Sequence, residues 1–129
     1  MKFKKLEISD FRNIEKIEIE PNENINIIYG QNAEGKTSIL EALWCFTGAK
    51  SFRSSKDIEM VKFGKQKARL KLSFFDDNRD QECIINIEKS RTAVLNDVEY
   101  NSASKIAGKI YSIVFSPNDL NIIKDGPNF

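Results

Sequence analysis

The chain has 129 residues, which suits one domain or part of one. Its 40% hydrophobic content, with nine Phe, excludes a disordered chain. A net charge of only +1 gives no bulk sign of a nucleic-acid binder, so such a function would need a local patch, and the lack of histidine removes that side chain from every catalytic or metal role within these residues.

From the N-terminus, Met1-Lys2-Phe3-Lys4-Lys5 leads into no long apolar run. The sequence thus predicts no signal peptide and no membrane span, and a soluble, cytosolic protein. Leu6 and Ile8 alternate with Glu7 and Ser9, and Ile17 and Ile19 alternate with Lys16, Glu18 and Glu20. Two short strands follow from this, with Asp10-Phe11-Arg12-Asn13 as the turn between them. After a second turn at Pro21-Asn22-Glu23-Asn24, Ile25 to Tyr29 is a mostly apolar run that suits a strand buried on both faces.

Gly30-Gln31-Asn32-Ala33-Glu34-Gly35-Lys36-Thr37 fits G-x-x-x-x-G-K-[ST], with a buried-type strand before it and a helical pattern after it. Ile39, Leu43 and Phe46 mark the helix, and Gly48 is its C-cap candidate. Gly30 and Gly35 let the backbone approach a phosphate closely. Successive N–H groups form a nest, and the helix N-terminus adds donors and positive dipole. Lys36 supplies a mobile charge to the β- and γ-phosphates, and the Thr37 hydroxyl is a natural Mg²⁺ ligand beside them. The chemistry read here is binding of ATP with Mg²⁺. Glu34 places a carboxylate in this loop and is expected to point outward, away from a polyanion.

Lys50 to Gly64 reads as loop with one helical turn. It opens a basic segment, Lys50 to Lys71, holding Lys50, Arg53, Lys56, Lys62, Lys65, Lys67, Arg69 and Lys71 against Asp57 and Glu59. Lys50, Arg53, Lys56, Lys65 and Lys67 are candidate contacts to a DNA backbone, which would bind in a salt-sensitive way. Lys65, Lys67, Arg69 and Lys71 are expected along one strand face, where the plainer reading is a solvated surface partly neutralised by Glu82 and Glu88. Ala68, Leu70, Leu72 and Phe74, and then Cys83, Ile85 and Ile87, predict a hairpin turning over Asp76 to Gln81. Pairing Phe74 with Cys83, Leu72 with Ile85 and Leu70 with Ile87 would gather the apolar residues on one face and set Arg69 opposite Glu88.

Thr92 to Tyr100 predicts a second hairpin turning at Asn96-Asp97, and Ser102 to Gly108 a short helix. Ile110 to Phe115 is a further strand candidate, and Pro117 to Ile123 a helix with Ser116 as N-cap. Gly126-Pro127 is a turn signal that normally leads somewhere, so the chain is expected to continue in a longer protein. Cys45 and Cys83 lack metal-ligand spacing and are expected as reduced, buried thiols. Leu72-Ser73-Phe74-Phe75-Asp76-Asp77 imitates a Walker B strand, but its period of two fits a half-exposed hairpin instead. With no other Walker B candidate and no Ser-Gly-Gly signature run, the chain is expected to bind phosphates without the machinery to hydrolyse ATP.

Asp10-Phe11-Arg12-Asn13, Gln31-Asn32-Ala33 and Ser38-Ile39-Leu40-Glu41-Ala42 resemble the SMC-like ATPases. Gly48-Ala49-Lys50-Ser51-Phe52-Arg53 and Phe115-Ser116-Pro117-Asn118-Asp119-Leu120, with Gly126-Pro127, are similar to the RecF family. The resemblance implies an α/β fold, the N-terminal lobe of an ABC-type P-loop NTPase over residues 1–129, with a mixed sheet and an antiparallel hairpin region. The helical lobe, signature and Walker B would follow. It further implies a cytosolic protein of DNA replication, repair and the SOS response that binds DNA and dimerises on ATP. Its partners would be RecO and RecR, and it would help RecA load at gaps. By the same resemblance Arg12 and Asn32 reach the nucleotide, alongside Gly30, Gln31, Ala33, Glu34, Gly35, Lys36, Thr37 and Ser38. Asn118 departs from the Glu usual in the family, and its segment holds no Gln, leaving the γ-phosphate sensor open. Two other readings stay in play: a head fragment of another SMC-like ATPase, and a DNA-binding domain with a vestigial P-loop.

Overall fold

The computed structural model describes residues 2–22, 34–53 and 56–110. The candidate strands at 25–29 and 110–115 and the candidate helix at 117–123 lie outside the described residues, Ile110 excepted. Six strands, β1 (Lys2–Phe11), β2 (Ile14–Ile19), β3 (Ala68–Asp76), β4 (Arg79–Ile87), β5 (Arg91–Leu95) and β6 (Val98–Tyr100), form one sheet in the order β2-β1-β3-β4-β5-β6. Every described pairing is antiparallel. Helix α1 (Glu34–Cys45) and two 3₁₀ helices, Asp57–Met60 and Ala103–Ile106, complete the described elements.

Period-two patterning decides which face of the sheet is dry. Leu6 and Ile8 of β1, Ala68, Leu70, Leu72 and Phe74 of β3, and Cys83, Ile85 and Ile87 of β4 are all buried. They join Ala42 and Cys45 of α1, Phe46 just after it, Met60, Ile106 and Ile110 in one core cluster. The opposite face carries charge, with Lys71 Nζ 3.4 Å from Glu82 and 3.8 Å from Glu7.

Three expectations need correction. The β3–β4 register differs by two residues, pairing Leu72 with Cys83, Leu70 with Ile85 and Arg69 with Asn86. The reason is a two-residue turn: Asp77 and Asn78 take φ of 52° and 59°, as a type I′ connection requires, so Asp76 and Arg79 are already paired strand residues. A shift of two preserves the faces, so the buried set is unchanged. Second, the turn after β1 is shorter than Asp10 to Asn13, because Phe11 is a fully buried strand residue paired with Ile14. Third, Lys65 and Lys67 precede β3, leaving only Arg69 and Lys71 of the expected stripe on the strand.

The hairpin at Asn96-Asp97 stands where expected, again with positive φ at both residues, 49° and 68°. Asp76 and Asp77 belong to the β3–β4 hairpin, in keeping with their rejection as Walker B acids. Helix α1 ends at Cys45, and the turn after it closes at Gly48, which has φ +81° and whose N–H reaches the Cys45 carbonyl at 3.1 Å. A Cβ here would lie 2.9 Å from the Ala103 carbonyl oxygen and 3.0 Å from the Ala107 nitrogen. Arg91, on β5, braces the same region: its Nη1 donates to the Ala49 carbonyl at 2.6 Å, and its Nε lies 3.2 Å from Asp57 Oδ1.

Candidate functional site

Residues Gly30, Gln31, Asn32 and Ala33 of the phosphate-loop motif lie outside the described residues. Glu34, Gly35 and Lys36 open α1, and Thr37 is exposed at its start. The unsatisfied amides and positive dipole of this helix end therefore follow directly on the Gly-rich segment, as phosphate binding requires.

One turn further along α1 stands Glu41, a carboxylate with no exposed surface. An isolated buried carboxylate is very costly, so its partners matter. Arg12 binds it side-on, with Nε donating to Oε1 at 2.8 Å and Nη2 to Oε2 at 2.7 Å. The Ser51 hydroxyl donates to Oε2, and Arg53 Nη1 to Oε1 at 3.3 Å. Arg53 Nη1 also lies 3.3 Å from Ser38 Oγ, whose hydroxyl faces Asn13 Oδ1 at 3.4 Å. Arg12 Nη1 donates to the Glu59 carbonyl at 3.1 Å.

Local structure sets these groups in place. Arg12 has φ 54°, a left-handed conformation that costs a non-glycine residue about 1–2 kcal/mol. Two backbone hydrogen bonds hold that turn, from Arg12 N to the Met60 carbonyl at 2.7 Å and from Lys62 N to the Asp10 carbonyl at 2.8 Å. Ser38, Glu41, Ala42 and Cys45 then share the buried face of α1 at i, i+3, i+4 and i+7. Ile39 and Leu43, expected to lead that face, are only partly buried.

The electrostatics follow the geometry. Burial pushes the Glu41 carboxyl up, but the hydrogen bonds from Arg12 and Ser51 and the charges of Arg12 and Arg53 outweigh it, and its pKa falls below the ordinary value. Arg12 is raised, chiefly by its hydrogen bond to Glu41. Burial pushes the Cys45 and Cys83 thiols up to about 12, so both stay protonated and inert at neutral pH, in keeping with their expected role.

Arg12, Asn13, Ser38 and Arg53 line a cavity of about 910 Å³ together with Ile58, Glu59, Val61, Lys62 and Phe63. The structure therefore brings together Arg12, expected at the nucleotide, and Arg53, expected at DNA. Lys50, Lys56, Lys65 and Lys67 are exposed, and none of the four is among the residues lining this cavity. Glu41 was not singled out as a site residue from sequence. Its signal was its place on the 38–41–45 face, which a charged side chain occupies only when partnered.

A family model described as an AAA domain matches residues 5–125. The chain belongs to the AAA domain family. Among curated proteins, it is 40% identical over 125 residues to the DNA replication and repair protein RecF of Lachnospira eligens, covering 95% of this chain and 34% of that protein. The corresponding RecF of Thermoanaerobacter sp. is 38% identical over 130 residues, with 99% and 36% covered. The chain thus spans about a third of the length of the curated relatives it matches.

A solved structure of the recombination mediator protein RecF with ATP, from the RecFOR pathway, matches 97% of this chain and 35% of its own, with TM-score 0.84 and 32% identity. A structure from work on ATP-driven dimerisation and DNA-stimulated activation of SMC ATPases matches 98% and 93% with TM-score 0.79 at 20% identity, a likeness of fold. This AAA domain chain has the fold of an ABC-type P-loop NTPase, and its resemblance to RecF extends over nearly its whole length.

Proposed function

We propose that this chain is the ATP-binding part of a RecF-like DNA replication and repair protein. The observation that carries the reading is the match of 97% of the chain to a RecF structure solved with ATP, over a sequence whose G-x-x-x-x-G-K-T motif runs into α1. Gly30 to Gly35 would wrap the phosphates with backbone N–H groups, with Asn32 adding a side-chain contact. Lys36 would pair with the β- and γ-phosphates, and Thr37 would carry Mg²⁺ beside them. Arg12 would add charge from the side, and Ser38 would anchor the loop's downstream end.

The whole protein would use ATP to drive homodimerisation, with the catalytic and signature residues supplied by chain outside residues 1–129. It would bind DNA through backbone contacts and work in the cytoplasm with RecO and RecR, supporting RecA loading and the SOS response. The exposed Lys50, Lys56, Lys65 and Lys67 fit a salt-sensitive contact to phosphates. Among the described residues, no helix is long and apolar enough to cross a membrane.

Calorimetric titration of the chain with Mg-ATP tests the central claim. Lys36→Ala should weaken binding by about 10- to 100-fold, the size expected for one charge-assisted contact. Equal affinity in the two proteins would sink the phosphate-site assignment.

A further inference from the structure

Lysines are treated differently in two parts of the surface. On the sheet, Lys4, Lys5 and Lys71 each lie within 3.8 Å of a carboxylate. A second set lines two cavities, of about 670 and 540 Å³, which adjoin because Ile58, Lys89 and Ser90 line both. Lys50 and Lys56 line the first and Lys65 the second. All four lysines of this set are exposed, and none of them forms an ion pair among the described residues. They come from three places in the chain: the segment after α1, the approach to β3, and the β4–β5 connection. Gathering like charges from separate segments into one groove costs repulsion and gives the fold nothing in return.

The rest of the lining does little to offset that charge. Its acids are Asp57 and Glu88, and Asp57 Oδ1 lies 3.2 Å from Nε of Arg91, a lining residue only 7% exposed. Asp57 is thus engaged by a buried cation, leaving Glu88 to balance the four lysines. Ser102 and Ser104, with hydroxyls 2.8 Å apart, add small neutral hydrogen-bonding groups. No aromatic side chain lines either cavity among the described residues. Single strands are usually held by stacking their bases on aromatic rings, whereas a duplex backbone asks only for cations and small polar groups.

We infer that this groove is a seat for the phosphate backbone of duplex DNA, contacted by Lys50, Lys56, Lys65 and Lys89 without readout of base sequence. This rests on the DNA-binding reading above and narrows it. Of the four lysines named there, Lys67 lines neither cavity, and Lys89 joins the set. Nothing in the sequence pointed to Lys89, because it stands well outside the basic segment Lys50 to Lys71.

Anisotropy titrations of a short labelled duplex of arbitrary sequence over a range of salt concentrations, with Mg-ATP present, test the assignment. The wild type should bind the duplex more tightly than either of its single strands, and equally well when the sequence is scrambled. Lys56→Gln/Lys89→Gln should weaken duplex binding and flatten the plot of log affinity against log salt by about 2, roughly one per lost phosphate contact. Lys4→Gln/Lys16→Gln removes the same charge from residues that line neither cavity, and should leave that slope unchanged. All four positions are exposed, apart from a partial burial that leaves each charged end in water, so unaltered melts should accompany every variant. An unchanged slope in Lys56→Gln/Lys89→Gln, or an equal fall in the control pair, would overturn the groove. Tighter binding of a single strand would overturn the duplex as its occupant. Absence of salt-dependent DNA binding by the wild type would remove the DNA-binding reading for this chain, and the inference with it.

Discussion

The β3–β6 meander and the Glu41 junction are both buried, yet they are built by opposite means. The meander gains stability from apolar side chains alternating on strands that two- and three-residue connections join, so each contact has near neighbours in sequence. The junction instead joins Arg12 to Glu41 across 29 residues and satisfies a charge that would be ruinous alone. The first region tolerates small geometric error, because burial is non-directional. The second depends on hydrogen-bond geometry and on ionisation state. Cohesion and alignment are therefore assigned to different parts of one small fold.

Two perturbations should separate these regions. The larger effect is expected in the meander. Leu70 is fully buried and paired with both Ile8 and Ile85, so Leu70→Ala should cost about 2–5 kcal/mol in denaturant unfolding, across the whole pH range. A cost below about 1 kcal/mol would break the claim that this face is tightly packed.

The smaller effect belongs to the junction and depends on acid. The folded-state pKa of Glu41 is depressed, so its ionised form contributes stability that is fully present above the unfolded value of about 4.3. That contribution is lost as pH falls through the folded-state pKa. Comparing wild type with Glu41→Gln, the stability difference should be constant near neutrality and shrink below about pH 4.3. A difference that stays flat down to full acid unfolding would mean that the Glu41 charge contributes nothing.

The same contrast explains what could be read in the sequence. Strand existence and the buried face of β3 and β4 were legible, because a period of two survives any even shift of register. The register itself was not. Asp76 to Gln81 is polar enough to resemble a wide turn, and composition alone does not show that Asp77 and Asn78 accept positive φ while Asp76 and Arg79 pair. The turn at Asn96-Asp97 was legible because apolar alternation approaches it closely on both sides. Phe11 was missed because it follows Asp10 and precedes Arg12, both with positive φ, in a stretch that looks like a loop. In the candidate site, the phosphate-loop motif was marked by type and spacing, whereas Arg12 was marked by the family resemblance alone. The convergence of Arg53 and Glu41 was not, since no local pattern encodes which distant cation meets a buried acid.

Gly48 has a consequence for the variation this chain can accept. Gly64 and Gly108 also have positive φ, 84° and 85°, but a Cβ at either would meet nothing within 4 Å. Asparagine should be admissible at those two positions at modest cost, since it visits the left-handed region more readily than most residues. At Gly48 the same change would also drive a side chain into the Ala103 and Ala107 backbone, which cannot rotate away. A saturation library sorted for soluble, folded protein should therefore return glycine almost alone at 48 and a mixed population at 64 and 108. Of three glycines with nearly the same torsion, one is a sterically closed position in sequence space, and the other two are merely conformational preferences.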